Sequence, residues 1–217
     1  MMGTGMAVTA AVAYLCYLGM QPGGVIYGLL GKSEVIMMVI IIGLPIAQLI
    51  VCGVLSARLA HLSYETARAL FLAYCILTGM TFSILPYVYG EENMFIAFLF
   101  ASVLFFSCTA IGYTTKIDLD QYGKLALAGL FTLIIITLVG YWIDLSFMDL
   151  TVCYVGIGIF LILTAWDMQK VRRAYEALAD NPVLRAKYSI FSAFQLYLDF
   201  VNLFLYVMRI LVGGKRR

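Results

Sequence analysis

Seven long apolar segments constrain this chain more than any other feature of its sequence. They lie at about 3–20, 35–56, 66–89, 93–114, 123–144, 149–170 and 188–212. Each is close to the roughly 20 residues that an α-helix needs to cross a bilayer. None alternates apolar with polar residues, so they indicate helices rather than the strands of a membrane barrel. No basic stretch precedes the first segment, so we expect a membrane helix there rather than a cleavable signal peptide.

The composition agrees with a chain whose solvent is lipid. Hydrophobic residues make up 64% of the 217 residues and charged residues only 12%, about half the charged share of a soluble domain. The length suits one compact bundle. We therefore predict an all-α integral membrane bundle of seven transmembrane helices, with a single domain over residues 1–217. The net charge of +2 provides no polybasic surface for nucleic acid.

Lysine and arginine indicate how the segments cross the membrane. The connections after the second, fourth and sixth segments carry Arg58, Arg68, Lys116, Lys124, Lys170, Arg172, Arg173, Arg185 and Lys187. The connections on the other side carry Lys32 alone. By the positive-inside rule the N-terminus should be cytoplasmic, and seven crossings would place the basic tail 215–217 outside. Because the rule disfavours such a tail, six crossings with one re-entrant segment is the alternative.

The sixth segment is expected to continue into water. Basic and apolar residues are interspersed from Lys170 to Leu178, a pattern that predicts an amphipathic extension of the helix. The dipeptide Asn181-Pro182 should then end it.

Asp199 points most directly to function. It lies about 11 residues into the last segment, near the bilayer midplane at about 1.5 Å per residue. A charged aspartate there costs roughly 2.5–3.5 kcal/mol, so it should be protonated, paired or hydrated. Polar residues recur around it at helical spacing on one face: Ser192, Gln195, Asp199, Asn202, Tyr206 and Arg209. This polar stripe predicts a face turned to the bundle interior or to a water path. For Gln195 and Asn202, hydrogen bonds between helices are an equal explanation.

A second carboxylate, Asp167, lies near the cytoplasmic end of the sixth segment. If that helix continues past Lys170, Asp167 reaches the depth of Asp199 on the neighbouring antiparallel helix. Two facing carboxyl groups in a low dielectric would share a proton and titrate as a coupled pair. Deprotonated, the pair offers hard oxygen ligands that suit calcium. The alternative for Asp167 is a solvated charge or a helix-end partner of Lys170.

The run 196–206, LYLDFVNLFLY, resembles the signature of the Bax inhibitor-1 family. The run 166–169, WDMQ, is similar to that family's aspartate motif at the end of its sixth helix. The runs 5–9, GMAVT, and 78–81, TGMT, are similar to its first- and third-helix patterns. The resemblance covers nearly the whole chain, and the run in the last segment is its most specific part.

This resemblance implies a seven-helix fold and a pH-sensitive calcium leak. It implies that Asp167 and Asp199 form an aspartate pair that senses pH and holds the ion. It also implies a gating arginine near the cytoplasmic end of the second helix. Arg58 is the best match for that arginine, and an ordinary orienting charge is the alternative explanation for it.

The resulting hypothesis is a proton-gated calcium leak that needs no cofactor, in a bacterial inner membrane. Protonation of the pair would change the packing of the last two helices, and Pro45 and Pro86 would supply bends. Calcium would then follow the polar stripe along Gln195, Asn202 and Tyr206. The main alternative is a non-conducting regulator that binds a membrane protease or other membrane proteins through the charged segment 170–187. A proton-coupled transporter is a third possibility.

Other classes fit the sequence less well. His61 is the sole histidine and is expected to lie in a loop, so no Ser-His or multi-histidine metal site is available. Neither membrane aspartate has a G-x-G-D setting, and the last segment contains no lysine, so we expect neither an aspartyl protease nor a retinal protein, and no enzyme. Asp118 and Asp120 lack the oxygen ligands of an EF-hand and should start the fifth helix. The five cysteines lie inside apolar segments, which predicts small buried side chains rather than disulfides or a zinc site.

Overall fold

The computed structural model describes residues 1–24, 26–27, 34–58, 62–142 and 149–213, without the side chains of 34–41, 141–142 and 149. Within these ranges it contains eight helices and no strand. The helices are α1 (Met2–Met20), α2 (Glu34–Arg58), α3 (Tyr64–Phe82), α4 (Leu85–Tyr89), α5 (Glu91–Thr114), α6 (Asp120–Trp142), α7 (Asp149–Ala177) and α8 (Pro182–Gly213). Lys32, His61 and the tail 215–217 lie outside the described residues.

Six stretches of these helices are long and apolar enough to cross a membrane. They are Met2–Met20, Tyr64–Tyr89, Glu91–Thr114, Asp120–Gly140, Leu150–Ala177 and Pro182–Gly213. Helix α2 adds a shorter apolar stretch, Ile42–Arg58, where its side chains are described. Together these helices coincide with the seven predicted segments. The prediction of an all-α, multi-pass membrane protein is confirmed.

The end of α7 and the start of α8 follow from local chemistry. Helix α7 continues past Lys170 to Ala177, as predicted. The Leu184 backbone N–H donates to Asn181 Oδ1 at 3.0 Å, and Pro182 takes the first helical position, where it loses no backbone hydrogen bond. Helix α8 therefore begins at Pro182 and not at about 188. The predicted start was wrong because it marked the beginning of the apolar run rather than the helix cap.

The two prolines within the apolar segments have different roles. Pro45 lies inside α2, where a bend is expected. Pro86 lies in the first turn of α4, so it begins a new helix rather than bending a continuous one. Gly90, at a φ of 83°, ends α4 and directs the chain into α5. The candidate span Tyr64–Tyr89, which is the third predicted segment, thus consists of two helices.

The chain groups into two compact units, Met1–Gly90 with Asn181–Phe194, and Glu91–Asp180 with Gln195–Arg217. In the first unit α3 packs against both α1 and α2. A Cβ on Gly79 would lie 2.7 Å from the Thr9 carbonyl oxygen, so only glycine allows this approach. Thr9 Oγ1 donates to the Cys75 carbonyl at 3.1 Å. Two of the runs that carried the family resemblance, 5–9 and 78–81, thus serve close helix packing.

In the second unit α7 packs against both α5 and α6. A Cβ on Gly112 of α5 would overlap the carbonyl oxygen of Ala165. Phe200 of α8 makes edge-to-face contacts with Phe98 and Phe105, at centroid distances of 5.6 and 5.5 Å. The approach at Gly112 thus joins α5 to α7, and the ring contacts join α5 to α8. The single domain over residues 1–217 stays a prediction.

Candidate functional site

The two membrane aspartates meet in the second unit. Asp167 of α7 and Asp199 of α8 expose 8% and 6% of their surface. Their carboxyl groups lie close enough to interact through their side chains. Both belong to candidate membrane spans, where uncompensated charge is costly. The structure therefore brings together the two carboxyl groups that the sequence predicted to face each other.

One oxygen of this pair has no hydrogen-bond partner among the described residues. Asp199 Oδ2 is buried, and nothing in the described part of the chain donates a hydrogen bond to it. Leaving a buried acceptor unsatisfied costs about 1–3 kcal/mol, more if the group is charged. A water molecule or a cation would satisfy it, and a bound proton would remove its negative charge. Asp199 Oδ2 is therefore available to bind a ligand.

Asp167, in contrast, forms an ion pair with Lys170. Lys170 Nζ lies 2.5 Å from Asp167 Oδ1 and 3.6 Å from the centroid of the Trp166 ring. The sequence alternative for Asp167, a partner of Lys170 one helical turn away, is therefore also observed. The site contains two carboxyl groups and one ammonium group. Only the aspartates had been identified as its members, although the i, i+3 spacing of Asp167 and Lys170 was a usable signal.

Trp166 is held in a fixed place beneath Lys170. Its Nε1 donates to Asp120 Oδ1 at 2.9 Å. Its ring packs on Gly123 of α6, where any Cβ would overlap the indole. Asp120 is the first residue of α6, as predicted for a helix-start residue. The Trp166 ring therefore joins the aspartate pair to the start of α6.

Gln169 attaches the connection between α5 and α6 to α7. Gln169 is 1% exposed. Nε2 donates to the Ile117 carbonyl at 2.7 Å, and Oε1 accepts from the Leu119 N–H at 3.0 Å. The amide thus replaces the partners that these two backbone groups would find in a strand or helix. Nothing in the sequence distinguished Gln169 from an ordinary polar residue at a helix end.

Two arginines extend this attachment outward. Arg172 donates to the carbonyl oxygens of Tyr113 and Thr115, at the C-terminal end of α5. A cation there is also favoured by the helix dipole. Arg173 pairs with Asp118 and Asp120, at 2.7 and 3.3 Å. We call the set Trp166, Gln169, Arg172 and Arg173 the loop clamp.

We expect Gln169→Leu to lower the free energy of unfolding by about 1–3 kcal/mol, because the Ile117 carbonyl and the Leu119 N–H both lose their partner. Thermal unfolding in detergent measures the effect. The matched control is Gln121→Leu, since Gln121 is exposed on α6 and should leave stability nearly unchanged. Equal melting temperatures for Gln169→Leu and the wild type would contradict the clamp role of Gln169.

The outer ion pair of the clamp should depend on pH. The hydrogen bond from Arg173, aided by the Asp120 N–H, holds the pKa of the Asp118 carboxyl below its ordinary value of 3.8. A lowered folded-state pKa stabilises the fold above the unfolded pKa, and the stabilisation is lost as pH falls through the folded value. The melting-temperature difference between wild type and Asp118→Asn should therefore be constant above about pH 5 and shrink below about pH 4. A difference independent of pH would contradict this origin.

Some residues of the polar stripe of α8 make contacts within the protein. Asn202 Nδ2 donates to the Leu198 carbonyl of its own helix at 2.8 Å, so this bond does not link two helices. Tyr206 packs against α7, where a Cβ on Gly156 would lie 2.7 Å from its Cζ. Gln195 and Tyr206 are both half-buried. The role of the stripe as an ion path stays a prediction.

Arg58 ends α2 and is exposed. It belongs to the first unit, whereas both aspartates belong to the second. Its role as a gate partner stays a prediction. All five cysteines have free thiols; two of them are buried and three are half-buried. No group of three or more potential metal ligands occurs in the described ranges.

The chain is similar to proteins of several bacteria. Inner membrane protein YbhL of Escherichia coli K12 is 39% identical over 181 residues, which cover 82% of this chain and 76% of YbhL. Protein RP147 of Rickettsia prowazekii is 40% identical over 157 residues, 72% of this chain and 65% of that protein. A protein of Borreliella burgdorferi is 32% identical over 217 residues, 100% of this chain and 89% of its own.

A family model described as "Inhibitor of apoptosis-promoting Bax1" matches residues 1–217. The match includes both aspartates, the loop clamp and the polar stripe. The resemblance inferred from the short runs in the sequence is thereby confirmed over the whole chain. This protein belongs to the Bax inhibitor family.

Proposed function

We propose that this protein is a pH-sensitive calcium leak of a bacterial inner membrane, gated by Asp167 and Asp199. The observation that carries the proposal is the meeting of these two buried carboxyl groups on two membrane helices. A pair of this kind is costly in a membrane. An amide pair would hold two helices together at lower cost, so the carboxyl groups favour a role in binding protons and cations.

Protons and cations would compete for the same oxygens. Two negative charges a few ångströms apart in a low dielectric repel strongly. The pair therefore holds a shared proton unless a cation takes its place. Cation entry then depends on pH, because the proton must leave before the cation can bind. The same competition couples the pH of the solution to the packing of α7 against α8.

Calcium fits the chemistry of the pair as a passing ion. Ca²⁺ prefers oxygen ligands and takes about six to eight of them. Asp167 and Asp199 supply carboxylate oxygens, and Gln195 and Asn202 add amide oxygens along the same face of α8. The remaining ligands would be water. A partly hydrated ion is held weakly, which favours conduction over storage.

The proposed path follows the polar stripe of α8. We place the narrow part of this path at Tyr206. Its ring packs against Gly156, and the centroids of the Tyr206 and Phe160 rings lie 5.9 Å apart. Arg58 is proposed as a gate partner on separate grounds: the family resemblance implies a gating arginine near the end of the second helix, and Arg58 ends α2. Replacing it by Gln in the same flux assay would test that role alone.

The test is calcium flux into proteoliposomes between about pH 5 and 8. We expect a flux that changes with pH in the wild type and that is altered in Asp167→Asn. Absence of flux from folded, inserted protein would contradict the leak and favour a regulator that binds a membrane protease or another membrane protein. Saturable uptake coupled to proton movement would favour a transporter instead.

A further inference from the structure

Lys170 occupies the place where a mobile cation would first meet Asp167. Its ammonium group forms an ion pair with Oδ1 of that carboxylate at 2.5 Å. We propose that Lys170 is a tethered cation that occupies the aspartate pair at rest, and that a divalent cation enters by displacing it. The inference rests on the proposed passage of cations through the pair, and it adds a competitor supplied by the protein itself.

The geometry provides Lys170 with a second partner. Its Nζ lies 3.6 Å from the centroid of the Trp166 ring, a distance typical of cation–π contacts. The ring cannot easily follow the lysine, because Asp120 holds its Nε1 and Gly123 supports its face. When Lys170 leaves Asp167 it can therefore remain over a fixed aromatic surface. The contact with the Trp166 ring lowers the free-energy cost of moving Lys170 away from Asp167.

The exposure of Lys170 also permits this movement. Its side chain is 28% exposed, whereas that of Asp167 is 10% exposed. A long side chain in this setting can keep its stem against the protein while its charged end moves toward water. The carboxylate stays in place, so the site is preserved when the lysine leaves. This is the behaviour required of a displaceable counter-ion.

Charge and ligand chemistry favour a divalent competitor. One ammonium satisfies Asp167, while Asp199 Oδ2 is left without a donor among the described residues. A monovalent cation would replace the single positive charge of Lys170 by another single charge, with little gain in binding free energy. A divalent cation can be coordinated by both carboxylates and neutralise both. The pair should therefore select divalent over monovalent cations partly because Lys170 must be displaced.

Trp166 offers a direct readout of the exchange. The chain has two tryptophans, so Trp142→Phe leaves Trp166 as the sole reporter. In this background, purified full-length protein in detergent is titrated with calcium chloride. We expect a saturable change in Trp166 emission as the ammonium moves, and loss of that change when Lys170→Met is added. Titration with sodium chloride at matched ionic strength should leave the emission nearly constant.

Calorimetry supplies the affinity. We expect Lys170→Met to tighten calcium binding roughly ten- to hundredfold, since the ion no longer has to break a charge-assisted hydrogen bond. Lys170→Arg keeps the positive charge and should stay within about threefold of the wild type. The matched control is Lys116→Met, which removes an exposed lysine of the α5–α6 connection and should leave the affinity unchanged. If Lys170→Met fails to fold, Lys170→Gln gives the same comparison.

Two results would overturn the proposal: an unchanged calcium affinity in the Lys170 variants, or calcium binding that leaves Trp166 emission unaltered. The proposed leak has a separate test. Flux in the wild type together with unchanged affinity in Lys170→Met rejects the tethered cation and preserves the leak. Tightened binding in Lys170→Met without flux in the wild type rejects the leak and preserves the tethered cation.

Discussion

Asp199→Asn should flatten the pH profile of calcium flux between about pH 5 and 8. Asparagine has nearly the shape of aspartate but neither takes up nor releases a proton. The variant leaves Asp167 paired with Lys170 and removes the carboxyl group with which Asp167 would share a proton. Flux into dye-loaded proteoliposomes, compared at several pH values, measures the effect. We expect the wild type to vary severalfold across this range and the variant to stay nearly constant.

The control for this experiment is Asp118→Asn. Asp118 also contacts α7, through Arg173, but its carboxylate lies on the exposed side of the loop clamp. Its removal should keep the wild-type flux profile over the same pH range. A pH profile of Asp199→Asn that matches the wild type would contradict the assignment of the aspartate pair as the pH sensor.

The largest expected effect on stability is that of Gly112→Leu. Even a Cβ at this position would overlap the Ala165 carbonyl oxygen, so a larger side chain must push α5 and α7 apart. Backbone atoms cannot rotate away as a flexible side chain can. We expect a loss of about 3 kcal/mol or more, which corresponds to a fall in melting temperature of about 6–12 °C for a chain of this length.

Gly158→Leu is the matched control for Gly112→Leu. Gly158 lies on α7, and no atom of the described residues lies within 4 Å of a Cβ built there. Leucine is also a better helix former than glycine by about 0.5–1 kcal/mol. The control should therefore melt at the wild-type temperature or slightly above it. Similar losses in both variants would show that the cost comes from adding leucine and not from the close approach at Ala165.

Much of this architecture is determined locally and was accessible from the sequence. The bilayer sets the length of each apolar segment, so the first five were predicted to within about three residues of their observed bounds. The extension of α7 past Lys170 followed from the pattern of basic and apolar residues. The start of α8 was missed because the helix begins at Asn181-Pro182, before the apolar run. A cap is recognised by hydrogen bonds, whereas hydropathy detects only the part of a helix that lies in lipid.

The aspartate pair was predicted only in part from the sequence. The depth of Asp199 in its segment and the helical spacing of the polar stripe singled it out, because a carboxyl group among apolar residues demands an explanation. Asp167 was placed opposite it only on the condition that α7 continued past Lys170. The resemblance to the Bax inhibitor family supported the pairing. The meeting of the two carboxyl groups is a tertiary fact that the sequence made plausible.

By itself, the sequence determined the class of protein, the membrane segments, the two aspartates and the family. The tertiary structure alone decided which side chains surround them. Trp166 bonds to Asp120 across 46 residues, and Gln169 bonds to the backbone at 117 and 119 across 52 and 50 residues. The physical reason is that an amide or an indole can form its hydrogen bonds with many different partners. Only the packing of α5 and α6 on α7 selects one partner for each.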